Sequence, residues 1–206
     1  MSTGDTIVTR RLTEADVDRA AEVLGLAFHD YPWTRWTVDA RDHVARITEL
    51  QRLCLVHFGL PYGHVWGTEV DGTIQCVAQW VDTAHPVPAE AQEPLGPRFT
   101  ELEGDRSAAS AAAEAESHGW RPSPRHLYLA TMGTVPEYQG RGLGARTLAP
   151  GLRFADEHGL TACLETSSAA NVRFYERLGF EEVRHWTIAD GAGPDLWLLQ
   201  REPRTV

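Results

Sequence analysis

The chain has 206 residues, 42% hydrophobic and 23% charged, which fits a globular domain large enough to bury a sizeable core. Its formal net charge of −10 argues against a general nucleic-acid binder, which needs a basic stripe, and mildly favours a cationic small substrate. Its three cysteines, Cys54, Cys76 and Cys163, lie in apolar runs with no CxxC spacing, so no zinc or disulfide framework is expected and each reads as a small buried hydrophobe.

The N-terminal "MSTGDTIVTRR" lacks the apolar centre of a secretory signal. No stretch reaches the ~18 to 20 apolar residues of a membrane span, so a cytoplasmic protein without a membrane partner is expected. "TIVTRRL" is β-branched and alternating, and predicts a first strand. Thr13 and Asp16 approximate a capping box before a helix that should end near Phe28. In "HDYPWTRWTVD", Pro32 breaks the helical pattern, and Tyr31, Trp33 and Trp36 crowd a predicted loop beside Asp30. Two readings stand for these residues: a lid over the core, or the wall of an acceptor pocket. Val44, Ile47, Leu50, Leu53 and Cys54 recur at helical spacing, with Gly59 as the terminator. "HVWGTEV" and "TIQCVAQWV", joined by Asp71-Gly72, predict a hairpin. His64 and Trp66, on its first strand, are weaker pocket candidates.

Residues 83–106, rich in Pro, Glu and Gly, predict a loop with at most a short helix, and "SAASAAAEAESH" a helix closed by "GWRPSP". "RHLYLATMGTV" predicts a strand, followed by a glycine turn and a helix ending at Gly159. Pro150, inside that helix, costs about 3 kcal/mol in an unbent helix and predicts a kink or break. "LTACLETS" reads as a strand, "NVRFYERLGF" as a helix stopped by Gly179, and "EEVRHWTI" with "PDLWLLQRE" as a last hairpin. The order of elements implies one α/β domain over residues 1–206 with a central sheet.

The turn "TVPEYQGRGLG" places Gly140, Gly142 and Gly144 at alternate positions between a strand and a helix. Such a turn is an anion site, because freed N–H groups converge at a helix N-terminus. No Lys lies here for a Walker loop. A dinucleotide pattern nearly fits, with Ala145 at its sixth position and Glu165 downstream, but a hairpin precedes it where that fold needs a crossover. A coenzyme A diphosphate cradle is the third option, and a turn without a ligand the bland one.

The stretch "MGTVPEYQGRGLGA" resembles motif A of the GNAT superfamily, the Gcn5-related N-acetyltransferases, through Pro136, Gln139, Gly140, Gly142 and Gly144. Thr134 stands where Val is commoner. "LETS…NVRFYERLGF" resembles that family's motif B. "AFHDYPWTRWTVD", "ARITELQ" and "GLGARTLAPG" are similar to the branch of the family that acetylates aminoacyl-nucleoside antibiotics such as puromycin.

The resemblance implies a single-domain GNAT-like fold with a mixed, largely antiparallel seven-stranded sheet, splayed at the middle strands and flanked by helices. It implies acetyl-CoA as the donor, a small-molecule amine as the acceptor and direct transfer between them, in a monomer or homodimer without nucleic acid. Cofactor contacts then fall on Met132, Gly133, Thr134, Gln139, Gly140, Arg141, Gly142, Leu143, Gly144 and Ala145. Asn171 would hold the pantetheine arm or order its helix, an ordinary N-cap being the plainer role. Tyr175 is the general acid, since an ordinary phenol keeps its proton at neutral pH. Glu165 is the candidate general base, direct or through a water, or simply attracts the amine. The acceptor pocket draws on Asp30, Tyr31, Trp33, Trp36, His64 and Glu165. His29, His43, His57 and His126 form no ligand cluster, and no metal is implied. A protein or peptide N-acetyltransferase, a non-catalytic acyl-CoA-binding module and a dinucleotide oxidoreductase are the competing functions.

Overall fold

The computed structural model describes residues 5–122 and 125–204. Residues 1–4, at the start of the stretch read for a secretory signal, residues 123–124, in the "GWRPSP" break, and residues 205–206 lie outside them.

Strand β1 (Ile7–Arg11) leads into helix α1 (Val17–Phe28). At the entry the Thr13 N–H donates to Asp16 Oδ2 at 2.9 Å. Helix α2 (Pro32–Thr37) occupies the segment predicted as loop. Pro32 sits at its first position, where a missing N–H costs nothing and the fixed φ suits a helix, so the proline starts this helix after breaking the last one. Helix α3 (His43–Cys54) continues into a π-helical turn at Leu55–Gly59 and the short α4 (Leu60–Tyr62). Gly59 is therefore no terminator. A Cβ there would lie 2.5 Å from Gln79 Oε1, so glycine lets the turn press on the sheet.

Strands β2 (Gly63–Val70) and β3 (Thr73–Asp82) form the predicted hairpin. Asp71 and Gly72 both have positive φ, 50° and 78°, the type I′ geometry that matches strand twist. Residues 83–106 hold more helix than expected: α5 (Ala89–Gln92), a 3-10 turn, then α6 (Gly96–Glu103). Pro88, Pro94 and Pro97 all fall at helix starts, where proline is tolerated. Helix α7 (Ser107–His118), strand β4 (His126–Thr134) and helix α8 (Leu143–His158) follow. Helix α8 runs through Pro150 without a break. The next residue explains how: a Cβ on Gly151 would lie 2.2 Å from Trp80 Nε1, so the helix is seated directly on a buried tryptophan. Strand β5 (Thr161–Thr166), helix α9 (Ala169–Glu176), β6 (Glu181–Thr187) and β7 (Asp195–Arg201) complete the chain.

The strands form one seven-stranded sheet in the order β1-β2-β3-β4-β5-β7-β6. Every pairing is antiparallel except β4 with β5. One core unites Ala78, Trp80, Leu129, Leu148, Leu164 and Phe180 beneath α8 and α9. A second unites Val77, Val65, Leu24 and Leu55 beneath α1 and α3. Val77 and Ala78 are both fully buried, so the middle of the sheet is covered on both faces, as its near-continuous apolar run requires.

Candidate active site

The parallel ladder between β4 and β5 is short. It runs from His126↔Thr161 to Tyr128↔Cys163 and stops. Beyond it β4 stays with β3 as far as Thr134, with a register shift between Gln79 and Trp80, while β5 stays with β7 through Thr166. The two central strands part, and one edge of β4 from Leu129 onward faces a gap. A cavity opens on each side of the sheet end, of about 890 Å³ and about 780 Å³. Phe28, Tyr31, Met132 and Asn171 line both, so the cavities meet where the strands part.

The smaller cavity gathers the predicted cofactor contacts. Met132, Gly133, Thr134, Gln139, Gly140, Gly142, Leu143, Gly144, Ala145 and Asn171 all line it. Gly140 and Gly142 have φ of 74° and 77°, and a Cβ on either would meet nothing within 4 Å. The left-handed backbone and the open space above it are those of a main-chain cradle. The first bond of α8 runs from the Arg146 N–H to the Gly142 carbonyl. Among the described residues, the N–H groups from Gly140 to Ala145 have no acceptor in the chain. They present donors and the positive end of the α8 dipole to the cavity, which fits a diphosphate.

Arg141 departs from expectation. Its guanidinium lies 4.8 Å from the centre of the Tyr138 ring and 3.8 Å from Asp5, outside the cavity lining, because the exposed turn lets the side chain fold back on the aromatic face. Arg177, which the sequence reading missed, lines the cavity instead. Its only sequence signal was helical spacing after Asn171 and Phe174.

The larger cavity takes two of the predicted acceptor residues from α2 and its start. Tyr31 and Trp33 line it. The Tyr31 hydroxyl lies 2.8 Å from Thr166 Oγ1 and accepts a 2.7 Å bond from the Ser167 N–H. The Trp33 N–H donates to Ser167 Oγ at 3.0 Å, so α2 is tied to the end of β5. Three predicted pocket residues stand elsewhere. Asp30 lines the rim of the smaller cavity, engaged by Arg35 at 2.8 Å and His29 at 3.1 Å. Trp36 packs with Ala113, Ile188 and Leu196, because the helical turn that replaced the predicted loop rotates it onto α7. His64 packs tilted against Phe154 at 4.7 Å and lines neither cavity, held below its ordinary pKa by burial and by Arg11.

Tyr175 is 5% exposed and reaches the larger cavity from α9. Its ring packs edge-on against Phe174 and Phe180, and burial raises its phenol well above the ordinary value, Tyr31 and Cys76 adding to the shift. Its packing and its access to the cavity coexist. Ser168, not Asn171, caps α9. The Asn171 side chain donates to Thr166 Oγ1 at 3.3 Å, in the same cluster as Tyr31.

Glu165 lines the larger cavity and is a hydrogen-bonded carboxylate at the end of β5. Arg121 grips it with two 2.9 Å bonds, and the Tyr128 hydroxyl donates a third of 2.6 Å. Both oxygens are therefore engaged by donors of the chain itself. Burial and the adjacent carboxylate push the Tyr128 phenol far up, which keeps it a donor. Arg121 and Tyr128 carried no motif in the sequence, since the pairing of β4 with β5 sets Tyr128 opposite Cys163, two residues from Glu165, and Arg121 reaches the pair from beyond α7. The pair is shielded, with side-chain exposures of 21% and 8%. Glu165→Gln is thus expected to lower stability by about 3 kcal/mol, since it leaves a guanidinium half-buried without its anion. Urea unfolding measures this, and a loss under ~1 kcal/mol would reduce the pair to a surface contact.

The chain matches the Acetyltransferase (GNAT) family over residues 27–180. The protein belongs to that family. The matched stretch covers every element from α2 to α9, including the glycine turn and the strand gap. An uncharacterised protein of Mycobacterium leprae (strain TN) is 27% identical over 146 residues, which is 68% of this chain and 40% of that protein. The chain thus spans well under half the length of that relative. The crystal structure of histone acetyltransferase HPA2 and related acetyltransferase from Corynebacterium glutamicum superposes with a TM-score of 0.73 at 24% identity, covering 98% of both chains. A putative acetyltransferase of Salmonella typhimurium, solved with its cofactor acetyl-CoA, gives 0.56 at 18% identity, covering 98% and 96%. These likenesses show the shared fold. Among the described residues no helix is long and apolar enough to cross a membrane, and no three His, Cys, Asp or Glu side chains gather to hold a metal.

Proposed function

We propose that the protein transfers the acetyl group of acetyl-CoA to the primary amine of a small molecule, an aminoacyl-nucleoside such as puromycin, in the cytoplasm. One observation carries this reading: a cavity floored by unpaired main-chain N–H groups meets a second cavity at the point where β4 and β5 part. Acetyl-CoA, when bound, supplies an activated acetyl thioester and a thiolate leaving group. The N–H groups of Gly140 to Ala145 hold its diphosphate, with Arg177 as the nearby cation. The open edge of β4 at Met132 to Thr134 offers main-chain donors to the polarised carbonyl. Tyr175 holds a proton on its hydroxyl oxygen and offers it to the departing sulfur.

No dedicated base is assigned. An aminoacyl α-amine has a pKa of about 7.7 to 8.0, so a useful share is already neutral near pH 7, and water in the cavity takes the rest of the protons. The aromatic wall of Tyr31 and Trp33 suits a nucleoside carrying an aromatic amino acid. The similarity of "AFHDYPWTRWTVD" and "GLGARTLAPG" to puromycin-acetylating sequences supports the same acceptor. The test is release of free thiol from acetyl-CoA across a panel of puromycin, aminoglycosides, polyamines and mixed peptides. Puromycin is expected to give the highest kcat/KM, with its N-acetyl derivative as product. Release with peptides alone would replace the acceptor, and release with none would end the reading.

A further inference from the structure

The alanine-rich helix α7 has so far served only as a wall. Its residues Glu114, Ser117 and His118, spaced i, i+3 and i+4 on one face, line the acceptor cavity together with Arg121 just beyond the helix. The charges in this cavity are unevenly matched. Arg121 is committed to Glu165 at 2.9 Å and Arg125 to Asp82 at 2.5 Å. Glu114 makes no ion pair or hydrogen bond among the described residues, not even with His118 one turn along. Two neutral pairs and one unbalanced carboxylate therefore face the acceptor.

We infer that Glu114 is the docking carboxylate for the acceptor's ammonium group, and that the site selects amines that arrive as cations with no carboxylate beside the amine. The inference rests on the proposed amine acetylation and adds a residue to it. Glu114 is exposed to water at the cavity wall, and the protein on its inner side raises its carboxyl above the ordinary value. Arg121 opposes the shift, Glu165 and Glu103 add to it, and His118 opposes it. No cation among the described residues pairs with this anion, so an arriving ammonium balances it, and the amine gives one proton to cavity water before it attacks. A free amino acid would instead bring its own carboxylate toward Glu114, the carboxylate without a paired cation, and like charges there are repelled.

The experiment uses the full chain and the variants Glu114→Gln and Glu114→Asp. With puromycin, Glu114→Gln is expected to raise the acceptor KM about tenfold or more, with kcat and the KM for acetyl-CoA nearly unchanged and the thermal midpoint retained. Glu114→Asp should recover part of the loss. Calorimetry without acetyl-CoA compares puromycin with the analogue bearing a hydroxyl in place of its amine. The parent should prefer the amine by about tenfold, and Glu114→Gln should bind the two alike. An unchanged acceptor KM, or a fall in kcat alone, would overturn the docking role. Should puromycin not be turned over, its assignment as acceptor falls, and the same KM comparison is made with whichever amine releases thiol. Should none do so, both readings fall together.

Discussion

Tyr175→Phe is expected to lower kcat about 100-fold at pH 7, within the range by which a positioned proton donor accelerates a reaction. That is about 2.7 kcal/mol on the barrier. The substitution removes one oxygen and little else. The ring stays wedged against Phe174 and Phe180, at centroid distances of 5.0 and 5.6 Å. The hydroxyl reaches the cavity and bonds to no protein group among the described residues, so the fold loses no hydrogen bond. Affinity for acetyl-CoA and the thermal midpoint should therefore stay near those of the parent, which separates a chemical role from a packing one. Burial raises the phenol, so the group remains protonated through the neutral range and acts as a donor rather than a base. Steady-state kinetics with the most active amine measures the effect. Full turnover in the variant would remove Tyr175 from the reaction.

Gly142→Val is expected to weaken acetyl-CoA binding by about 100-fold, or roughly 2.7 kcal/mol, while lowering stability by less. Two effects combine. Gly142 has a φ of 77°, a region in which a β-branched residue is strained by about 1 to 2 kcal/mol. Its Cβ would enter the space above the turn, where nothing of the protein lies within 4 Å, and would screen the N–H groups from an anion. Gly159→Val is the control. Gly159 ends the same helix with a φ of 63° and equally open space at its Cβ, so it suffers comparable strain at the wrong end for a phosphate. Calorimetry with intact acetyl-CoA is expected to find the cofactor affinity kept in Gly159→Val and lost in Gly142→Val. Equal affinity in Gly142→Val and the parent would show that the turn holds no diphosphate.

Local sequence was enough for the features that depend on near neighbours. Asp71-Gly72 sets a hairpin because both residues accept positive φ, and the alternation of "TIVTRRL" marks a strand wherever it pairs. The glycine turn is legible for the same reason. Its donors are main-chain groups of consecutive residues, so quoting the segment names the cradle, and ten of the eleven predicted cofactor residues line one cavity. Prolines were harder to place, since Pro32 and Pro97 open helices that their neighbours did not announce, and Pro150 is carried through α8 by the contact of Gly151 with Trp80.

The acceptor side was legible only in part, because side chains far apart in the chain build it. Glu165 reads from sequence as a strand-end carboxylate, but its partners Arg121 and Tyr128 lie 44 and 37 residues away and meet it only through tertiary packing. Trp36 and His64 matched a pocket by residue type, yet one turn of helix and one strand register turned them into other packing. The sequence by itself determined the order of the elements, the hairpin and the main-chain cradle, since these follow from backbone preferences a few residues wide. Only the tertiary structure decided which charges are neutralised in the acceptor cavity and which remain, because electrostatic pairing depends on distance in space and has no period along the chain.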